Sequence, residues 1–126
     1  LLNGAPLVAV ARNRYFREAD GISLDMGAFV SGLEYAADTT AVVVGKPSPE
    51  FYQAAVDDLG LRASNVLMVG DDVEADVLGA LDAGLQAALV RSGKYRWDDE
   101  KRLLGTSARV FEDFPDLVNK ILKTYS

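Results

Sequence analysis

Four acids fall within six residues of this chain: Asp71, Asp72, Glu74 and Asp76. Carboxylates crowded this closely repel one another unless a cation stands among them. Hard divalent cations are held by one or two carboxylates together with water and phosphate oxygens. The competing reading is capping, since an Asp before a helix accepts backbone N–H bonds and first-turn acids suit the helix dipole. One or two acids would serve that purpose, so four leave both readings open. The second candidate is Lys46, in Gly45-Lys46-Pro47-Ser48-Pro49-Glu50. It falls on a tight turn before a helix start, where orphan N–H groups and an ammonium could converge on an anion. An ordinary surface lysine is the alternative.

Both candidates are positioned by strand-to-helix turns. Val66, Leu67, Met68 and Val69 are all apolar and read as a strand buried on both faces, ended by Gly70. Val73, Val77, Ala80, Leu81 and Gly84 then repeat at helical spacing. The acids therefore occupy the carboxyl end of a strand, where open α/β sheets bind ligands. Thr40–Val44 reads as a strand leading to Lys46. Ser48 as N-cap, Pro49 at N1 and Gly60 as terminator frame a helix whose expected buried face is Phe51, Ala55 and Leu59.

Upstream, Leu7–Ala11 reads as a strand, and Asp20-Gly21 marks a turn. Phe29, Val30, Leu33, Ala36 and Ala37 predict an amphipathic helix over 27–37. Asn13–Arg17 mixes basic and aromatic groups, suiting either a polar strand end or contact with an anion. Downstream come a strand over 85–90, a basic loop at 91–96, a short helix within 97–104 and a strand over 108–111. Phe114, Leu117, Val118, Ile121 and Leu122 line a final helix. From Thr40 the alternation strand–helix–strand–helix–strand predicts one parallel sheet with crossover helices.

Composition narrows the chemistry. The 126 residues carry a formal charge of −6, nearly half of them are apolar, and Cys and His are absent. One domain or part of one is expected. The charge argues against nucleic-acid or anionic-membrane partners. Without Cys or His there is no disulfide scaffold, thiol nucleophile, Cys/His zinc site or Ser-His-Asp arrangement. Zero Cys suits a reducing compartment, and a cytoplasmic location is the expectation. No apolar segment approaches a membrane span and no signal peptide is visible. The chain begins Leu1-Leu2-Asn3, so its start is not expected to be a native one.

The ordered set Gly45-Lys46-Pro47-Ser48-Pro49, then Gly70-Asp71-Asp72 with Asp76, resembles two motifs of the haloacid-dehalogenase (HAD) superfamily of hydrolases. Ser92-Gly93-Lys94-Tyr95 extends the likeness, while Asn13–Tyr15, Gly21–Leu24 and Leu33–Ala36 resemble the end of the large cap of one branch. That branch includes phospholysine phosphohistidine inorganic pyrophosphate phosphatase. The resemblance implies part of a Rossmannoid α/β parallel sheet with flanking helices, residues 45–126, preceded by the end of a C2-type α/β cap, residues 1–44. It implies a Mg²⁺-dependent phosphatase acting on a small phosphorylated substrate. Asp71 would bind Mg²⁺, Asp72 and Asp76 would support it directly or indirectly, and Lys46 would neutralise the phosphoryl group.

The family's nucleophile lies in an N-terminal Asp-x-Asp motif that has no match here; Asp113–Asp116 has the wrong spacing. The expectation is therefore the C-terminal part of a longer enzyme, inactive alone. Its sheet edge would be left open for another chain, and a homo-oligomer through that edge or the cap is one form this could take. A non-catalytic phosphate- or partner-binding descendant is the alternative. A receiver-type phospho-acceptor domain fits poorly, because it places its acid pair early and its Lys late.

Overall fold

The computed structural model describes residues 1–124, which fold as an α/β structure with three small sheets. In chain order the elements are β1 (Val8–Ala9), β2 (Tyr15–Glu18), β3 (Gly21–Leu24), α1 (Met26–Ala37), β4 (Val42–Val43) and α2 (Pro49–Leu59). They continue with β5 (Leu67–Gly70), a helical segment over Val73–Leu78 that runs into α3 (Gly79–Asp82), β6 (Gln86–Val90), β7 (Arg109–Phe111) and α4 (Phe114–Thr124). Single 3₁₀ turns occur at Ala63–Asn65 and Asp99–Leu103. Among the described residues no helix is long and apolar enough to cross a membrane.

The sheets divide differently from the single sheet expected. β5, β6 and β7 form a parallel sheet in that order, whereas β4 pairs in parallel with β1. The antiparallel hairpin β2–β3 was not foreseen; Glu18 stands opposite Gly21, so Ala19-Asp20 makes a two-residue turn just before that glycine. Apolar contacts follow the same division. Ala9, Val30 and Ala41 form one cluster, with Leu7 and Val43 against it. A larger one gathers Tyr52, Val56, Val77, Leu85 and Leu89, and a third packs Ala88, Val90, Phe111 and Leu117.

β6 is the central strand and Ala87 to Val90 are all buried. β5 is an edge strand among the described residues, so Val66–Val69 are only half-buried rather than covered on both faces. The caps of α2 follow expectation in position: Ser48 at the N-cap, Pro49 at N1 and Gly60 in the left-handed region at φ 64°. The Ser48 hydroxyl, however, donates to Glu50 instead of accepting a backbone N–H. The buried face of α2 is Tyr52 and Val56, one residue on from the expected Phe51, Ala55 and Leu59. The reason is the larger cluster beneath α2, into which the Tyr52 ring inserts while Phe51 meets it edge-on at 5.4 Å from outside.

The apolar stripes of α1 and α4 are likewise only partly covered. Gly27 and Val30 are the buried residues of α1, while Phe29 and Leu33 are exposed. In α4, Leu117 is buried and Phe114 and Leu122 are exposed. Each helix packs against only two or three strands, so a stripe wider than that contact stays uncovered.

Candidate active site

The site forms where β5 ends. Gly70 is followed by Asp71 and Asp72, and Asp72 takes the N-cap position: its Oδ1 accepts the N–H groups of Glu74 (3.1 Å) and Ala75 (2.9 Å). Capping is thus a true role of one acid in the cluster. The helix then opens with a wide turn in which the N–H groups of Val77 and Gly79 reach back five residues, to the carbonyls of Asp72 and Glu74. Such turns recur at functional sites because they re-aim side chains. Here Val73, Ala75, Asp76 and Val77 are all buried, which puts a carboxylate inside the apolar wall.

Asp76 is 5% exposed. Its Oδ1 accepts from Lys46 Nζ at 2.6 Å across 30 residues of sequence, and its Oδ2 accepts the Asp72 N–H at 3.2 Å. Lys46 follows Gly45, with a cis bond to Pro47, and its side chain remains about one-third exposed at 32%. Tyr52 lies beneath, its hydroxyl donating to the Ala75 carbonyl. Burial first, then the charges of Asp76 and Asp72, push the Tyr52 phenol well above the ordinary tyrosine range, keeping it a neutral donor.

Asp71 is held from the other side. Its Oδ2 accepts the Lys94 N–H at 2.8 Å, and the left-handed Gly93 (φ 53°) leaves room for it, because a Cβ at 93 would overlap that oxygen. The Asp71 Oδ1 has no hydrogen-bond partner among the described residues. Lys94 Nζ lies 3.5 Å from Asp72 and 3.9 Å from Asp25. Arg91 anchors this basic loop by donating from Nε to Glu100 at 2.6 Å and pairing with Glu112. The Tyr95 hydroxyl also donates to Glu100, at 2.7 Å. Arg91 chiefly, then Tyr95, hold the Glu100 carboxyl below its ordinary range.

The structure therefore brings Lys46, Asp71, Asp72 and Asp76 to one strand end, each with different commitments. Among the described residues no three acids converge closely enough to form a metal-binding group on their own. Asp76 has both oxygens engaged and Asp72 has one in the cap, while Asp71 keeps one free. The donor set is all oxygen and suits Mg²⁺, which needs only one or two carboxylates when phosphate supplies the rest.

Among the neighbours, Asn13–Arg17 was read as either a polar strand end or an anion contact, and Arg12 and Arg102 were missed. The segment 12–15 crosses over the acid turn and closes a cleft whose walls include Arg12, Arg14, Tyr15, Pro47, Asp72, Glu74, Arg96 and Arg102. Arg17 Nε donates to the Gly93 carbonyl at 2.9 Å, tying the hairpin to the basic loop. Asn13 Oδ1 is buried there without a partner among the described residues. The basic-aromatic composition of 13–17 was the available signal for this wall; nothing in the sequence marked Arg102.

A family model described as HAD-hydrolase-like matches residues 43–117. The chain belongs to the HAD-like hydrolase family. It is 50% identical over 95 residues to phospholysine phosphohistidine inorganic pyrophosphate phosphatase of Xenopus laevis, covering 75% of this chain and 35% of that protein. Among solved structures, p-nitrophenyl phosphatase from Archaeoglobus fulgidus superposes with TM-score 0.79 at 30% identity, over 94% of this chain and 48% of that one. A glycerol phosphate phosphatase from Mycobacterium tuberculosis, solved in complex with magnesium, gives TM-score 0.74 at 29% identity, over 92% and 35%. The HAD-like chain spans about half the length of the curated relatives it matches over nearly its whole length.

Proposed function

We propose that this HAD-like chain supplies half of the active centre of a Mg²⁺-dependent phosphatase. The observation that carries this reading is the meeting of Lys46 with the Asp71–Asp76 turn at the carboxyl end of a parallel strand. Asp71 would ligate Mg²⁺ through its free oxygen. Asp72 and Asp76 would hold the turn and the ammonium in place. Magnesium, when bound, would neutralise charge on the transferring phosphoryl group. The ammonium of Lys46, held by Asp76, would bind and orient the same group.

The nucleophile would come from an Asp-x-Asp strand outside these 126 residues. The open edge of β5 and the uncovered apolar residues Phe51 and Leu59 of α2 support that reading, because an apolar strand and flanking helices would cover them. We assign residues 1–44 to the end of a cap and 45–126 to the core, supported by apolar clusters that do not mix across that boundary. A small phosphorylated compound is the proposed substrate. The magnesium-bound relative and the phosphatases above support the metal and the reaction class.

Two measurements on the 126-residue chain test this. Calorimetric titration with inorganic phosphate in Mg²⁺ should show binding that Lys46→Met weakens about tenfold, the scale of one charge-assisted contact. Hydrolysis of p-nitrophenyl phosphate should stay at background. Efficient turnover by this chain would refute the missing nucleophile. Phosphate binding indifferent to Mg²⁺ and to Lys46 would refute the site, and Mg²⁺-dependent binding in a full-length protein without turnover would favour the non-catalytic alternative.

A further inference from the structure

Four arginines line the cleft beside the acid turn, and the commitments of Arg14, Arg96 and Arg102 differ from that of Arg12. Arg12 is spent: it makes two bonds to Glu34, at 2.8 and 2.7 Å, and Glu34 also accepts the Ala41 N–H. Arg14 and Arg102 instead share one carboxylate, Glu74, at 3.5 and 3.6 Å, too long for hydrogen bonds. Arg96 lies over the Tyr15 ring, 4.6 Å from its centroid, with no acidic partner for its guanidinium among the described residues. Stacking fixes the plane of a guanidinium while leaving its N–H edge available. Asp72 also lines the cleft, but Lys94 faces it. Three positive charges thus stand against one carboxylate, a local excess in a chain of net charge −6.

We propose that Arg14, Arg96 and Arg102 form a second anion subsite, which selects substrates carrying another carboxylate or phosphate on the leaving group. The proposal rests on the phosphatase reading above, because the cleft adjoins Lys46 through Pro47 and the acids through Asp72. Glu74 is the placeholder. It holds Arg14 and Arg102 in loose pairs that a ligand anion, able to accept short bidentate bonds, would replace. The subsite joins the segment 12–15 to the core loop and 3₁₀ turn at 96–102, so the leaving group is read by both parts of the chain.

The test compares two probes of one scaffold as competitive inhibitors of p-nitrophenyl phosphate hydrolysis by the full-length protein that contains this chain, in Mg²⁺, with the inhibition constants read as affinities. Glycerol 3-phosphate and 3-phosphoglycerate share the phosphate and differ in a terminal hydroxymethyl against a carboxylate. We expect 3-phosphoglycerate to bind at least about tenfold more tightly. Arg14→Ala/Arg102→Ala should abolish that advantage without weakening glycerol 3-phosphate. Glu74→Gln should widen it. Equal affinities in the unmutated chain, or an equal loss for both probes in the double variant, would overturn the subsite and leave these arginines as struts between hairpin and core. If neither probe binds, the subsite falls together with the phosphate site beneath it, whereas equal binding of both removes the subsite alone.

Discussion

Replacing Asp76 by alanine is expected to lower stability by about 2–3 kcal/mol, which for a chain of this size lowers Tm by roughly 10 °C. The side chain is almost wholly buried, and its two oxygens serve Lys46 and the Asp72 N–H. Removing it leaves the Lys46 ammonium without its carboxylate and the Asp72 N–H without its acceptor. The estimate lies at or below the low end for broken buried pairs because Lys46 is about one-third exposed and can draw on solvent. Lys46→Met should cost a similar amount, since it leaves the more deeply buried carboxylate with only the Asp72 N–H as a partner. The double variant Lys46→Met/Asp76→Ala should cost well under the sum, with a coupling of about 2 kcal/mol. Urea denaturation of the four proteins measures this directly, and additive single effects would show that the pair has little energetic meaning.

The second large effect is at Gly70. A Cβ there would overlap the Cβ, Cγ and Oδ2 of Asp76. The Asp76 Cβ cannot swing away as a flexible tip could, because it moves only with the helix backbone. Gly70→Ala must therefore push the wide turn at Val73–Leu78 off the end of β5, or pull β5 from β6. Either movement disturbs the largest apolar cluster, so we expect a loss of about 3 kcal/mol, the upper range for overpacking. Chemical denaturation should show a lowered midpoint, and a variant as stable as the parent would mean that strand and helix are not packed this closely. The glycine is thus required by a close approach, not by an unusual backbone angle.

The site was more legible than the packing around it. Its acids and lysine stand at strand-to-helix turns, which Gly, Pro and Ser mark locally, so their positions on the chain follow from short-range rules. Their grouping does not: the 2.6 Å contact between Lys46 and Asp76 comes from the tertiary arrangement of the turn before α2 and the helical segment after β5. Most elements were found, but the buried face of α2 was assigned wrongly. α2 buries Tyr52 in place of Phe51, because apolar periodicity cannot tell which of two adjacent aromatics meets the core. The strand read over Thr40–Val44 was expected in one sheet with the later strands and pairs instead with β1, since alternation of elements does not specify which strands pair. The hairpin at 15–24 escaped because Tyr15-Phe16-Arg17-Glu18 lacks a clean two-residue alternation. Arg102 became a cleft residue only through a 3₁₀ turn that brings it to Glu74.

The measurement that tests the central claim most directly is hydrolysis of p-nitrophenyl phosphate by the full-length protein that contains this chain, with and without Mg²⁺, compared with its Asp71→Asn variant. Asn preserves the acceptor for the Lys94 N–H while removing the charge a cation requires. The expected result is Mg²⁺-dependent turnover that falls at least about a hundredfold in the variant, the scale of losing a main electrostatic contribution. Turnover that persists without metal, or is unchanged in Asp71→Asn, would contradict the assignment of this turn to the active centre.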